Sequence, residues 1–493
     1  MRNPVTIILV VGYFVLCLLL GFFMEWLGKR KKETDTAEGY TTARNTMSAL
    51  AVFGLILGNN ISGTYILTFP NGVVDTNIGY MWPMIGYTVG YFLVIFFHRY
   101  YRAASYKYNA ATIGQVFTAY FSARVAKVIT ITLFVAYGAS AAASLGTFSI
   151  MFASLFGWNR ATCTIVTIAL LVILALLGGL GGLGRVNIVH VIFMLASPFI
   201  IGILAIVALP QGWTAAWADF VAAGHATLTG GIYGPSYFLP MLLIQPFACF
   251  ASGLIITGAI GAKNAKAGYT GQILMPIFTV ILYSMLVVVG VCGMGLGIAA
   301  DGSLWYNTAA LFGPAATALA CIGVLAGALS SAPPIFMMMG STVVNEFILP
   351  VTKKQYTDKQ KINMTRLWIV ICGVAFPLLG LASTDLLMII ANAFSIWAVT
   401  GLALTLHLVW KRSDERVMFW SMLIGAAVVT VWIFAGFFVP GGMLLGIPAQ
   451  TMAFIVTVGV YVVMTLAICP KGKSENYLRY ENAKKEMLAA GKD

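Results

Sequence analysis

Charge is what this sequence lacks. Only 9% of its 493 residues are Asp, Glu, Lys or Arg, where a soluble domain has roughly a quarter. A globular enzyme of this length is excluded on that ground. Acidic residues are the scarcer sign, 16 against 29 Lys and Arg, which leaves a net charge of +13. Histidine occurs four times, at His98, His190, His225 and His407, with no metal-ligand spacing. His98 and His407 are expected near cytoplasmic helix ends, where a cation meets the helix dipole. The seven cysteines (Cys17, Cys163, Cys249, Cys292, Cys321, Cys372 and Cys469) all fall in or at the end of apolar runs. CxxC and Cys/His spacings are missing, so no disulfide or zinc ribbon is expected. GxSxG and HExxH are missing too, and with them the hydrolases built on those motifs.

What is present is apolar. Hydrophobic residues make up 60% of the chain, with 51 glycines and 31 phenylalanines. These are the marks of lipid-embedded helices that approach closely through small residues. The first apolar run, residues 4–24, is followed by Lys29, Arg30, Lys31 and Lys32. A cleaved signal has the opposite order, so this run reads as a retained first helix. Thirteen spanning segments are predicted, with cores at 4–24, 47–73, 77–98, 123–153, 161–178, 186–209, 236–261, 271–299, 314–341, 366–384, 386–410, 417–438 and 449–469. With the N-terminus outside and alternating topology, Arg2 and Arg160 are the two basic residues outside. The other 27 of the 29 fall on the cytoplasmic side, most of them in short loops and the C-terminal tail. That bias predicts N-terminus outside and C-terminus inside. It also accounts for the +13 through topology and lipid contact, with no need for nucleic acid. Trp213, Trp217, Phe220 and Val221 predict a short helix at the outer surface. The polar tail from Ser474 to Asp493 predicts another at the cytoplasmic side.

The stretch Gly179-Leu180-Gly181-Gly182-Leu183-Gly184 matches GxGxxG literally. No strand precedes it, so a tight glycine turn between two membrane helices is expected rather than a dinucleotide site.

Three segments are poor helices at mid-membrane depth. The first is Leu57-Gly58-Asn59-Asn60-Ile61-Ser62-Gly63-Thr64-Tyr65, with glycines flanking two asparagines and a serine. Unwound backbone in lipid persists only where its carbonyls find partners inside the protein. A bound cation is one such partner; a small-residue helix contact with Asn hydrogen bonds is the other reading. The second is Gln245-Pro246-Phe247-Ala248-Cys249-Phe250-Ala251-Ser252-Gly253, where Pro246 removes a backbone donor. The second broken helix is the fifth predicted helix after the first, with four between them, so the two run in opposite directions, as an inverted repeat requires. The third is Gly327-Ala328-Leu329-Ser330-Ser331-Ala332-Pro333-Pro334. The two prolines cannot donate to carbonyls near Leu329 and Ser330, and the adjacent serines add hydroxyl oxygens. Hard cations take oxygen ligands of this kind; serine back-bonding at a proline kink is the alternative.

These three sites, in this order, resemble the sodium:solute symporter family, which shares the five-plus-five inverted-repeat fold of the transporter LeuT. Other stretches agree. Glu38-Gly39-Tyr40-Thr41-Thr42-Ala43-Arg44 is similar to the segment before the family's first broken helix, and Asn59-Asn60-Ile61-Ser62-Gly63 to its core. Thr112-Ile113-Gly114-Gln115, Gly178-Gly179-Leu180 and Ala262-Lys263-Asn264-Ala265-Lys266-Ala267 fall where the family has comparable motifs. The resemblance implies an all-α membrane protein. Residues 1–46 would be an extra helix and cytoplasmic loop. Residues 47–410 would be a core of repeats 47–209 and 236–410, followed by two helices over 411–469 and a tail over 470–493. It implies a sodium site with carbonyl ligands from Gly58, Ile61 and Gly327 and hydroxyl ligands from Ser330 and Ser331. It places a solute beside Asn59, Tyr65, Tyr137, Gln245, Phe247 and Asn392. Where the family often has Thr-Asp, this chain has Val186-Asn187, and His190 stands where Gln is common. Ala332-Pro333-Pro334 replaces a possible second cation ligand, so one coupled sodium is the simpler expectation. The implied function is sodium-coupled symport of a small organic solute (amino acid, carboxylate, sugar or similar) by alternating access in the bacterial cytoplasmic membrane, not enzymatic catalysis. Its expected partners are sodium, the solute and membrane lipid, without nucleic acid or an obligate protein. A proton-coupled carrier and a non-transporting solute sensor are the alternatives.

Overall fold

The computed structural model describes residues 2–32, 34–177, 179–231, 233–352, 354–379, 386–436, 438–439 and 444–492, with side chains outside the description at 143, 150, 160, 379 and 386–392. Among the described residues the regular structure is helical, apart from one bridged pair, Met47 with Ala262. Among the described residues ten helices are long and apolar enough to cross a membrane, and two bent pairs pass the same test together. A shorter apolar helix covers Ala161–Leu176. The protein is therefore a multi-pass membrane protein.

The elements, in chain order, are α1 (Pro4–Arg30), the bent pair α2 (Ala49–Asn60) and α3 (Gly63–Asp75), α4 (Ile78–Tyr108), α5 (Ala123–Phe156), α6 (Arg160–Leu176), α7 (Gly179–Ala208) and α8 (Gly212–Ala222). There follow the second bent pair α9 (Pro235–Ala248) and α10 (Gly253–Gly261), then α11 (Ala265–Gly295), α12 (Leu304–Ala310), α13 (Pro314–Thr342), α14 (Asp358–Leu379), α15 (Leu386–Trp410), α16 (Glu415–Gly436), α17 (Ala449–Ile468) and α18 (Glu475–Ala489). The expected surface helix at Trp213 and the tail helix are present as α8 and α18.

Both breaks fall where the sequence disfavours helix. Ser48 opens α2 by accepting from the Ala51 N–H. The helix stops when Ile61 turns extended (φ −109°, ψ 102°). Ser62 then caps α3 by accepting from the Thr64 N–H at 3.3 Å, and the two axes meet at 52°. The second pair bends by 42°, with Ser252 extended (ψ 118°) at the start of α10.

The helices pack in a pattern that repeats when the two halves are exchanged. α2 lies on α7 and α11, while α9 lies on α15 and α4. α5 packs on α15 and α14, while α13 packs on α7 and α6. This exchange is what an inverted repeat produces. α1 lies outside it, against α7 and α13, tied by Thr6 Oγ1 donating to the Pro314 carbonyl at 3.0 Å. α16 and α17 pack on each other and on α15, and α18 lies on the last turns of α4.

Three local expectations change. The Gly179–Gly184 stretch is not a turn: only Gly179 is left-handed (φ 63°), and α7 begins there, seven residues before the expected core. Its glycines admit the neighbouring backbone, since a Cβ on Gly179 would lie 2.8 Å from the Tyr40 carbonyl oxygen and one on Gly184 3.1 Å from that of Ala51. His98 is not at a helix end, because the helical span continues to Tyr108. It is buried, with Nδ1 3.0 Å from Gln272 Oε1. α13 passes through Pro333 and Pro334 without interruption.

The first break is held by close contact. A Cβ on Gly63 would fall onto the Val324 carbonyl oxygen, whereas one on Gly459 of α17 meets nothing within 4 Å. Gly63→Ala is predicted to destabilise the chain by about 1–3 kcal/mol through overpacking. Gly459→Ala should leave stability unchanged or raise it slightly. Thermal unfolding of the two purified variants distinguishes them, and equal melting temperatures would overturn the proposed fit.

Candidate functional site

The first break and the serine pair of α13 form one buried knot. Ser330 Oγ donates to the Gly58 carbonyl at 2.7 Å and lies 3.0 Å from the Gly327 carbonyl. Ser330 is fully buried, and Ser331 is 2% exposed. A Cβ on Gly327 would stand 2.5 Å from the Gly63 nitrogen, so α13 touches the break directly there. Three of the five residues implied for the cation site (Gly58, Gly327 and Ser330) are thus joined by hydrogen bonds. Ser331 is one residue further along α13, where its Oγ is 3.3 Å from the Ala328 carbonyl and 3.4 Å from Ser144 Oγ. Ile61 is buried at the break itself, with its N–H donated back to the Leu57 carbonyl.

The fourth member of the knot is Asn187 on α7. Its Nδ2 donates to the Ser330 carbonyl at 2.9 Å. That carbonyl is one of those Pro334 leaves without its helical donor. A Cβ on Gly58 would lie 2.8 Å from Ser330 Cβ and 2.9 Å from Asn187 Nδ2, so only glycine fits there without displacement. One turn along α7, His190 Nδ1 is 2.6 Å from the Tyr13 hydroxyl, which ties α1 to the helix carrying Asn187. Asn187 draws notice in the sequence as a departure from a family pattern. Its role as the partner of a proline-freed carbonyl depends on the crossing of α7 and α13.

A polar stripe on α5 includes two residues that sequence reasoning missed, Ser144 and Thr147. Tyr137, Ser144 and Thr147 share one face of this helix, separated by seven and three residues. The Tyr137 hydroxyl accepts from the Leu254 N–H at 3.4 Å, at the start of α10. Ser144 meets Ser331. Thr147 Oγ1 is 2.6 Å from Thr64 Oγ1, which in turn is 3.1 Å from Ser62 Oγ. One helix therefore touches the second break, the serine pair and the first break within about 15 Å of its length. Hydroxyls at helical spacing in an otherwise apolar run were the available signal.

The residues implied for the solute are arranged around these breaks. Asn59 Oδ1 and Gln245 Oε1 are buried acceptors without a hydrogen-bond partner, a costly condition unless a ligand or water supplies a donor. Gln245 is fully buried; its Nε2 has Met241 Sδ at 3.7 Å. Tyr65 stacks on Phe69 at 5.5 Å between centroids and lies 6.5 Å from the Tyr283 ring. Tyr283 reaches Met84 Sδ at 3.3 Å, on the helix whose Gly86 faces Gln245. α4 and α11 thus connect the two breaks. Phe247 is half-buried, 5.8 Å from Phe250, and its carbonyl faces Gly401 of α15. Tyr137 packs on Trp397 at 5.3 Å, and Phe394 links Trp397 to Tyr87. The Asn392 side chain lies outside the described residues. Among the described residues no group of three His, Cys, Asp or Glu could hold a metal ion.

No family model matches the chain. Over 147 residues it is 27% identical to the osmoregulated proline transporter OpuE of Bacillus subtilis (strain 168), a match spanning 29% of this chain and 30% of that one. Among solved structures it is similar to a Na+-coupled sialic acid symporter in a substrate-bound outward-open state. That likeness has a TM-score of 0.78 and 13% identity, and covers 96% of this chain and 100% of the other. It is also similar to Mhp1 in an inward-facing conformation, with a TM-score of 0.51 and 13% identity over 89% of this chain and 96% of Mhp1. At these identities the likeness is one of fold, and the fold is the LeuT-type inverted repeat that the sequence resembles.

Asn187→Ala would leave the Ser330 carbonyl buried without a partner. Its predicted cost is about 1–3 kcal/mol, read as a lower melting temperature of the purified chain in sodium-free buffer. Unchanged stability would sink this hydrogen bond.

Proposed function

We propose that this protein is a secondary active transporter that carries a small organic solute together with sodium by alternating access. The observation that supports it most is the knot of oxygens at the first break. The Gly58 and Gly327 carbonyls each lie within hydrogen-bond distance of the Ser330 hydroxyl, and Ser331 is the next residue of α13. Such hard oxygen ligands suit sodium. In this reading Gly58, Ile61, Gly327, Ser330 and Ser331 ligate the ion. The Ser330 hydroxyl then turns its hydrogen away from the Gly58 carbonyl, which frees that carbonyl and points an Oγ lone pair at the cation. The amide of Asn187 holds the Ser330 carbonyl in place without adding charge. Among the described residues no Asp or Glu hydrogen-bonds to the Gly58 carbonyl, the Gly327 carbonyl or the two serine hydroxyls, so a bound sodium would bring a positive charge to a set of neutral ligands.

The solute is placed beside Asn59, Tyr65, Tyr137, Gln245, Phe247 and Asn392. The unpartnered acceptor oxygens of Asn59 and Gln245 call for a ligand with N–H or O–H donors. None of these residues is Lys or Arg, so a neutral or zwitterionic polar solute fits better than a multiply charged anion. A ligand carboxylate would have to face sodium or a helix N-terminus. Similar proteins bear names that fit this class: a proline transporter and a Na+-coupled sialic acid symporter. The proposed unit of transport is the core 47–410, with repeats 47–209 and 236–410, in the bacterial cytoplasmic membrane. Its N-terminus would lie outside and the tail inside.

Uptake of the cognate solute into proteoliposomes is predicted to require sodium. Ser330→Ala and Ser331→Ala should each raise the half-saturating sodium concentration about tenfold, equivalent to roughly 1.4 kcal/mol. Sodium-independent uptake retained by both variants would overturn the site. Asn187→Asp offers a second check. An added carboxylate beside the ion should lower the sodium requirement at high pH and make it rise as protons compete at low pH. A sodium dependence like that of the unaltered chain at both pH extremes would remove Asn187 from the ion's surroundings.

A further inference from the structure

We propose that a cavity of about 460 Å³ at the tail-bearing end of the bundle is a binding site for a phosphate-bearing anion. Its volume lies in the range of small-ligand sites. Four cations line it: Arg44 before α2, Arg102 on α4, Lys263 between α10 and α11, and Lys492 after α18. Among the described residues no Asp or Glu lines it. Cytoplasmic basic residues are ordinarily spread over a solvated face, but two of these are held inward. The Arg44 side chain is only 17% exposed. Its Nη1 binds Glu38 at 2.8 Å and Asn109 at 2.5 Å, and its Nη2 binds the Ser105 carbonyl at 2.6 Å. These bonds fix the guanidinium plane, while Nε is buried with no partner. Arg102 Nη1 donates to the Ala259 carbonyl at 3.0 Å and the Ala262 carbonyl at 3.3 Å, which anchors it at the end of α10. Asn264, also in the lining, caps the 31-residue α11, whose N-terminal dipole adds to the positive potential. Pre-oriented arginines, flexible lysines and a long helix N-terminus together suit phosphate oxygens.

The site straddles the two broken helices. The Met47 N–H donates to the Gly261 carbonyl at 2.8 Å, and the Lys263 N–H to the Met47 carbonyl at 2.9 Å, so the ends of α2 and α10 already meet beside it. An anion held by Arg44, Lys263 and Lys492 would fasten both ends to the tail. It would thereby slow opening on that side. This consequence rests on the transport reading, whereas the binding does not.

The test uses the full chain in phosphatidylcholine nanodiscs, with inorganic pyrophosphate as the free probe and added phosphatidylglycerol as the lipid probe. At least one probe should raise the melting temperature saturably, beyond a chloride control of matched ionic strength. The double variant K263A/K492A, altered at two exposed lysines, should need about tenfold more of that probe. A response to pyrophosphate alone assigns a soluble phosphate compound, and a response to phosphatidylglycerol alone assigns a lipid headgroup. No stabilisation by either probe, or an unaltered response in the double variant, overturns the site. A positive shift in a chain that shows no sodium-dependent uptake retains the site and rejects the transport reading instead.

Discussion

Two interrupted helices inside an apolar bundle leave backbone groups that lipid cannot satisfy. Nearly every distinctive contact in this protein answers that constraint. Ser62 turns back to cap α3 and also joins the hydroxyls of Thr64 and Thr147. Ser330 covers the Gly58 carbonyl. Pro334 adds to the problem by removing a donor from α13, and Asn187 supplies the replacement from α7. Polar atoms of the interior meet where helix geometry fails, while buried hydroxyls elsewhere, such as Thr167 and Thr279, bond back to carbonyls of their own helices.

The same economy couples the parts. α5 touches the second break with Tyr137, the serine pair with Ser144 and the first break with Thr147. A change in the tilt of α5 would be felt at all three places, because one rigid helix carries them. α1 stands outside the repeats, yet Tyr13 holds His190, one turn from Asn187. Glycines make these links short: Gly54, Gly58, Gly63 and Gly327 sit where a side chain would press on a neighbouring helix. At the other extreme, the tail-bearing end is rich in charge. There α18 is pinned by Lys107 with Glu486 at 2.6 Å and by Asn476 Nδ2 donating to the Tyr120 carbonyl at 2.7 Å. Coupling at that end runs through cations and carbonyls as well as through hydroxyls such as Ser413, which meets both His407 and Tyr461.

Legibility from sequence followed the range of the interaction involved. The break at Ile61 and Ser62 was visible because Gly and Asn are poor helix formers in any context. Gly179–Gly184 is helix rather than turn for the complementary reason: glycine is tolerated in a helix when a neighbouring backbone fills its place, as the Ala51 carbonyl does beside Gly184. His98 does not mark a helix end, because the helical span continues through the polar residues after it to Tyr108. There the ring is buried against Gln272 and Tyr269.

The sequence by itself determined the apolar spans, the two broken helices and the candidate residues Gly58, Ser330 and Gln245. In lipid a segment must satisfy its own backbone, so local composition decides where a helix can run and where it must stop. Only the tertiary structure decided which partner meets each break. Ser330 and Gly58 are 272 residues apart, Asn187 and Ser330 143, and Thr64 and Thr147 83. Those meetings depend on the rotation of each helix about its axis and on where the helices cross. Many helices of similar composition are compatible with several such arrangements, and the packing of the whole bundle selects one.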